Sequence, residues 1–229
     1  MLAELRAAAD PVRREHTLGY FPSRLEILGV SAPAMRRILR PLARSLRASS
    51  PAEVLGAARA LLDTRVHEAR QIAFELVGGR ADVVVGLDTA AVEALGRGND
   101  NWASVDEFSV TVAGPAWRDG RVSDADVVRW CRSEDRWWRR TALVSTVALN
   151  VRSRGGRGDV GRTVRVCREL AEDADPMVAK GLSWALRALS TVDAGPVRRF
   201  LADFGDELPA LVRREVRNKL ETGRKSGRA

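Results

Sequence analysis

PMVAKGLSWALRAL, residues 176–189, is the stretch from which the fold is read. Val178, Leu182, Ala185, Leu186 and Leu189 recur at three- and four-residue intervals, so they share one face of an α-helix and mark it as core. Asp175 precedes the stretch and Pro176 opens it, an N-cap residue followed by proline at the first helical position. Lys180, Trp184 and Arg187 fall on the other side of the same helix. A tryptophan set between two cations away from the core stripe has two explanations. It packs against a neighbouring helix, or it offers a stacking surface to a base or sugar.

Four other segments resemble this one: HEARQIAFELVG (67–78), NWASVDEFSVTV (101–112), RWWRRTALVSTVAL (136–149) and ELPALVRREVRNKL (207–220). They recur at roughly 30–45 residues, the length of one helix pair in a repeat solenoid. Between them the pattern predicts helices near 2–15, 31–48, 51–63, 66–79, 88–97, 100–114, 123–132, 135–151, 158–173, 175–190, 193–204 and 207–221. Ser50 or Pro51 opens one of them and Ser123 another. Val83, Val84 and Val85 form the strand-like run, and an isolated strand has no partner, so this run reads as loop or helix start. The expected architecture is all-α: an α–α superhelix, a solenoid of about six HEAT-like helix pairs with a concave face lined by one helix of each pair. It spans residues 1–221 as a single domain, followed by a basic, disordered tail at 222–229.

A chain with 45% hydrophobic and 30% charged residues is a soluble globular protein rather than a disordered or membrane one. No apolar run approaches a membrane span, and Met1 to Tyr20 alternates charges with alanines where a signal peptide would carry an apolar core. The bacterial cytoplasm or nucleoid is the expected location. Cys131, Cys167, His16 and His67 are too few and too scattered for a zinc site or a disulfide framework, so no metal and no cofactor are expected. His67 and Glu68 lack the second histidine of a metalloprotease helix and read as a surface helix turn. The net charge of +8 makes a polyanion the first partner to consider. Nearly all of that excess is arginine, since only Lys180, Lys219 and Lys225 are lysines.

Placement of the charges narrows the reading. In the helix near 100–114, Val105, Phe108 and Val112 form a buried stripe, and Trp102, Asp106, Ser109 and Ala113 form a second stripe beside it. Asp106 is then either a structural carboxylate in a ladder between repeats or a working one. Arg140 shares a face with Trp137, Val144, Val147 and Val151, so its guanidinium is partly desolvated and needs Asp106 or a DNA phosphate as partner. Arg37, Arg40, Arg44 and Arg47 form a basic stripe opposite Ile38, Leu39, Leu42 and Leu46, a solvated face or a DNA-facing one. RSRGGRG, residues 152–158, reads as a flexible loop that presents Arg152, Arg154 and Arg157 to a phosphate backbone. Lys180, Arg187, Arg213, Arg214 and Arg217 complete the candidate DNA-binding set. GRKS near the carboxyl end is not a phosphate loop, because its earlier glycine and its preceding strand are missing.

Taken together, LGVSAPAMRRILR, DTRVHEARQIAFELV, DNWASVDEF, EDRWWRRTALVS, VAKGLSWALRALS and LVRREVRNKL resemble the AlkD-type DNA alkylation repair glycosylases over nearly the whole chain. The resemblance implies a fold of HEAT-like repeats and a monomer that acts on duplex DNA containing alkylated bases. It puts the catalytic aspartate on Asp106, the tryptophan four residues before it on Trp102, the arginine of the next repeat on Arg140 and the second tryptophan on Trp184. Asp106 would stabilise the oxocarbenium-like sugar and position water, the two tryptophans would flank the nucleotide, and Arg140 would hold a phosphate. Ala103 departs from the family, where an aspartate often follows the tryptophan. The stretch TLGYFPSRLEILGV is less typical, so no amino-terminal residue, Tyr20 included, is carried over. Two alternatives stand beside the glycosylase: a non-catalytic HEAT-repeat protein that binds branched or distorted DNA, and a protein-interaction scaffold.

Overall fold

A computed structural model describes residues 1–226, and no strand occurs among them. The chain forms two compact units, Met1–Val112 and Ala113–Ala229. The first holds α1 (Leu2–Ala7), α2 (Pro11–Tyr20), α3 (Ala32–Ser45), α4 (Pro51–Asp63), α5 (His67–Gly78), α6 (Ala81–Val85), α7 (Thr89–Gly96) and α8 (Trp102–Phe108). The second holds α9 (Gly114–Arg118), α10 (Asp124–Cys131), α11 (Arg136–Asn150), α12 (Val160–Glu169), α13 (Pro176–Leu189), α14 (Ala194–Phe204) and α15 (Ala210–Thr222). Of the basic tail expected at 222–229, Thr222 closes α15 and residues 227–229 lie outside the described residues. No helix among the described residues is long and apolar enough to cross a membrane.

The local rules that predict these helices are visible at their ends. Ser50 and Ser123 each make a full capping box, with Glu53 and Asp126, and Asp175 accepts from the Met177 and Val178 N–H groups ahead of Pro176. The Val83–Val85 run is the end of the short helix α6, with Val83 and Val84 buried. The helix expected over 2–15 is instead two. Asp10 caps α2 by accepting from the Val12 and Arg13 N–H groups, and Pro11 at the first position supplies no N–H to an earlier helix.

The helix expected over 100–114 is also interrupted. A π-helical turn at Ser109–Ala113 follows α8; Ser109 and Ala113 are buried while Trp102 and Asp106 stay half-buried. In the first unit, Phe74 of α5 and Phe108 of α8 pack with ring centroids 5.2 Å apart. The second unit is built around α11, in which every residue from Arg140 to Asn150 is buried, and α13 packs along it. The five core residues expected on α13 are all inaccessible to solvent.

Two sequence expectations are corrected. His67 and Glu68 are not a surface turn but are buried, because the chain from Phe21 to Val30 folds over the start of α5. The 152–158 segment is not a flexible loop but a specified turn. Gly156 N–H donates to the Val151 carbonyl (3.0 Å) and Gly158 N–H to the Leu149 carbonyl (2.9 Å). A Cβ on Gly156 would lie 2.6 Å from the Leu149 backbone, so only glycine fits there.

Candidate functional site

In the first unit the candidate site is built at the amino end of α8. Asn101, fully buried, caps the helix by accepting from Ser104 N–H (3.0 Å). Its amide also donates to Ser23 Oγ (3.3 Å) and Asp100 Oδ1 (3.0 Å), which ties the first turn to the chain before it. Asp100 accepts in turn from Ser23 Oγ (2.7 Å) and Arg24 N–H (2.5 Å). These bonds hold the segment that follows α2 against α8.

Trp102 is framed by that segment. Tyr20 stands edge-on to it, with centroids 5.4 Å apart and planes at 89°, and Phe21 does the same at 5.6 Å and 78°. Phe21 is buried, whereas Tyr20 is 68% exposed and leaves an aromatic corner open to solvent. Asp106 follows Trp102 by four residues and is likewise half-buried, so the two share one face of α8 while Val105 and Phe108 point into the core. Behind them His67 stacks obliquely on Phe21 (5.4 Å) and its Nδ1 hydrogen-bonds Ser104 Oγ (3.2 Å). Burial pushes the His67 pKa below its ordinary value, against the opposing pull of Glu68 and Asp100. Glu68 in turn accepts from the Leu28, Gly29 and Val30 N–H groups at 2.7–3.2 Å.

In the second unit, Arg140 is 5% exposed near the start of α11, as its apolar neighbours suggest, and its Nη1 donates to the Met177 carbonyl on α13. Trp184 is half-buried on α13, and Lys180 one turn earlier is exposed. Arg187 is drawn into the structure instead: Nε donates to Ser183 Oγ (3.2 Å) and stands 3.7 Å from Glu215, which Ser183 and Lys225 also contact. Arg213 pairs with Asp206.

The remaining candidate cations separate by position. Lys180, Arg214 and Arg217 are exposed and have no ion-pair partner among the described residues. The cations of α12 do have partners: Arg162 and Arg165 pair with Asp124, and Arg168 with Asp203. Arg37, Arg40 and Arg44 are exposed on α3, joined by Arg36, and no acidic residue lies in that helix; Arg47 follows it, also exposed. Arg152, Arg154 and Arg157 are exposed on the glycine turn.

No group of three or more His, Cys, Asp or Glu side chains able to hold a metal ion occurs among the described residues. Cys131 and Cys167 are free and buried, and burial pushes the Cys131 thiol up to about 12 and Cys167 in the same direction, so neither is poised as a nucleophile. Tyr20 is the contact on Trp102 that sequence reasoning left aside. It lies at the end of a non-repeat helix, where no periodic signal reaches it.

The fold is similar to that of a predicted DNA alkylation repair enzyme from Enterococcus faecalis, with a TM-score of 0.73 over 93% of this chain and 97% of that one at 16% identity. At that identity the likeness speaks for the fold, all-helical and of the α–α solenoid class. The DNA alkylation repair enzyme family matches residues 1–220, and the chain belongs to that family. Membership supports a role in alkylation repair with DNA as the partner. No curated protein matches the sequence.

Proposed function

We propose that the protein is a monofunctional, metal-independent DNA glycosylase that hydrolyses the N-glycosidic bond of cationic alkylated purines, of the 3-methyladenine and 7-methylguanine type, in duplex DNA. The observation that carries this reading is the pairing of Asp106 with Trp102 on one half-buried face of α8, with Tyr20 and Phe21 edge-on to the indole. Glycoside cleavage ordinarily needs an acid for the leaving group and a second carboxylate for the sugar. A purine alkylated at N7 or N3 is already cationic and departs without protonation, so one carboxylate suffices.

In this reading Asp106, ionised, stabilises the positive charge that develops on the deoxyribose and orients the attacking water. The face of Trp102 attracts the cationic base or sugar by about 0.5–2 kcal/mol. Trp184 is assigned a like contact from its own unit, and Arg140 a backbone phosphate. The exposed, unpaired cations on α3, α13 and α15 supply the sequence-independent part of the affinity.

Release of free 7-methylguanine or 3-methyladenine from methylated duplex DNA tests the proposal. Salt-dependent DNA binding without any release would instead make this a non-catalytic DNA-binding repeat protein. Absence of DNA binding would leave the scaffold reading.

A further inference from the structure

A cleft of about 500 Å³ opens in the second unit beside the carboxyl end of α9, the 152–158 turn and the first residues of α12. Three guanidinium groups line it, those of Arg118, Arg157 and Arg162, and two of them are fixed. Arg118 donates to Asp119 through Nε (2.9 Å) and Nη2 (3.3 Å), and to the Arg154 carbonyl through Nη1 (2.8 Å). Arg162 lies over the Trp117 ring at 5.5 Å, donates to the Trp117 carbonyl (3.3 Å), and stands 3.3 Å from Asp124 and 3.5 Å from Asp159. Arg157 is exposed and has no hydrogen bond or ion pair among the described residues.

The carboxylates facing the cleft, Asp119 and Asp159, are each engaged by one of the fixed arginines. Asp124, which Arg162 shares with Arg165, belongs in the same count: four guanidinium groups against three carboxylates leave one positive charge over. Each guanidinium carries five N–H donors, and Arg118 commits three of its five, so donors remain for a further ligand. The turn is shaped around Arg118: Gly155 has φ of +82°, and a Cβ there would lie 2.7 Å from Arg118 Nη1.

We propose that this cleft seats a phosphate group, held by Arg157 closing onto it and by the uncommitted donors of Arg118 and Arg162. Planar guanidinium forks suit a tetrahedral anion with several acceptor oxygens, and a cleft this polar offers little to an apolar ligand. The group belongs either to a DNA backbone or to a free phosphate. The proposal deepens the DNA-binding reading of Arg157 and needs nothing from the assigned catalysis.

Because Arg157 is exposed and unpaired, Arg157→Ala leaves the fold intact, and buried Trp117 under Arg162 is a built-in reporter. Two titrations test the proposal, one with unmodified duplex DNA across a salt series and one with inorganic phosphate. Each is read as the emission change that Trp117→Phe removes. A backbone phosphate in the cleft gives a DNA-induced Trp117 change in the wild type that disappears in Arg157→Ala, with the slope of log K on log salt reduced by about 0.9. A free phosphate gives the Trp117 response to inorganic phosphate in the wild type only, with the DNA salt slope of the variant unchanged. No Trp117 response to either ligand overturns the proposal, and so does a smaller slope without that response, since Arg157 would then meet the phosphate outside the cleft. Neither readout involves base excision, so a protein that released no base would still test the cleft.

Discussion

Replacing Glu68 removes the clamp that ties the amino-terminal chain to α5, and its cost follows from the hydrogen bonds. Glu68 is 3% exposed and accepts from three consecutive backbone N–H groups, those of Leu28, Gly29 and Val30. A buried donor left without a partner costs about 1–3 kcal/mol. Water reaching one of the three N–H groups in Glu68→Ala leaves two without a partner, about 2–6 kcal/mol of destabilisation. Glu68→Gln keeps the volume and one acceptor oxygen but turns an amide donor toward N–H groups, so about 1–3 kcal/mol is expected. Urea unfolding followed by far-UV circular dichroism measures both, with a lower midpoint at unchanged slope. The clamped segment leads back to Phe21 and Tyr20, so the emission of Trp102 shifts in the same variants. A Glu68→Ala protein within about 0.5 kcal/mol of the wild type, the scatter of ordinary surface substitutions, would show that Glu68 does not clamp the segment.

Other expectations concern charge. His67 has its folded pKa lowered by burial, so the unfolded chain binds a proton more readily. Stability is therefore complete above the unfolded value of about 6.5 and falls as pH drops below it. Unfolding midpoints between pH 7.5 and 5 should show that fall, and it should shrink in His67→Gln; an identical pH dependence in the two proteins would remove His67 as its source. Replacing Lys180, Arg214 and Arg217 together by alanine should lower the salt slope of DNA binding by up to about 0.9 for each phosphate these side chains neutralise. Arg187→Ala should instead lower stability with little change in slope, because Glu215 already holds that guanidinium. Equal slopes for the triple variant and the wild type would sink the assignment of those cations to DNA.

The helices were legible wherever periodicity and a capping residue agreed, as for α4, α10 and α13. The break between α1 and α2 carries the same Asp–Pro signal as α13, at Asp10 and Pro11, and a purely periodic reading runs across it. The π turn after α8 is harder to foresee, because one altered hydrogen-bond register leaves the apolar pattern nearly unchanged. The phase change can bear on Ala113 but not on Ser109, which closes α8 in α-helical geometry with its Oγ bonded to the Val105 carbonyl. Burial of His67 and Glu68 depends on a segment some forty residues earlier in the chain, which helical periodicity cannot register. Arg187 looked like Lys180 in sequence and differs from it because Glu215, 28 residues on in α15, stands within reach.

Asp106 is the residue on which the functional account turns. Single-turnover release of 7-methylguanine from methylated duplex DNA, measured for the wild type and Asp106→Asn alongside their DNA affinities, isolates its role. Loss of a preorganised charge facing the developing cation should slow release by about 100-fold or more while binding stays within about threefold. Release by Asp106→Asn at the wild-type rate would contradict the account.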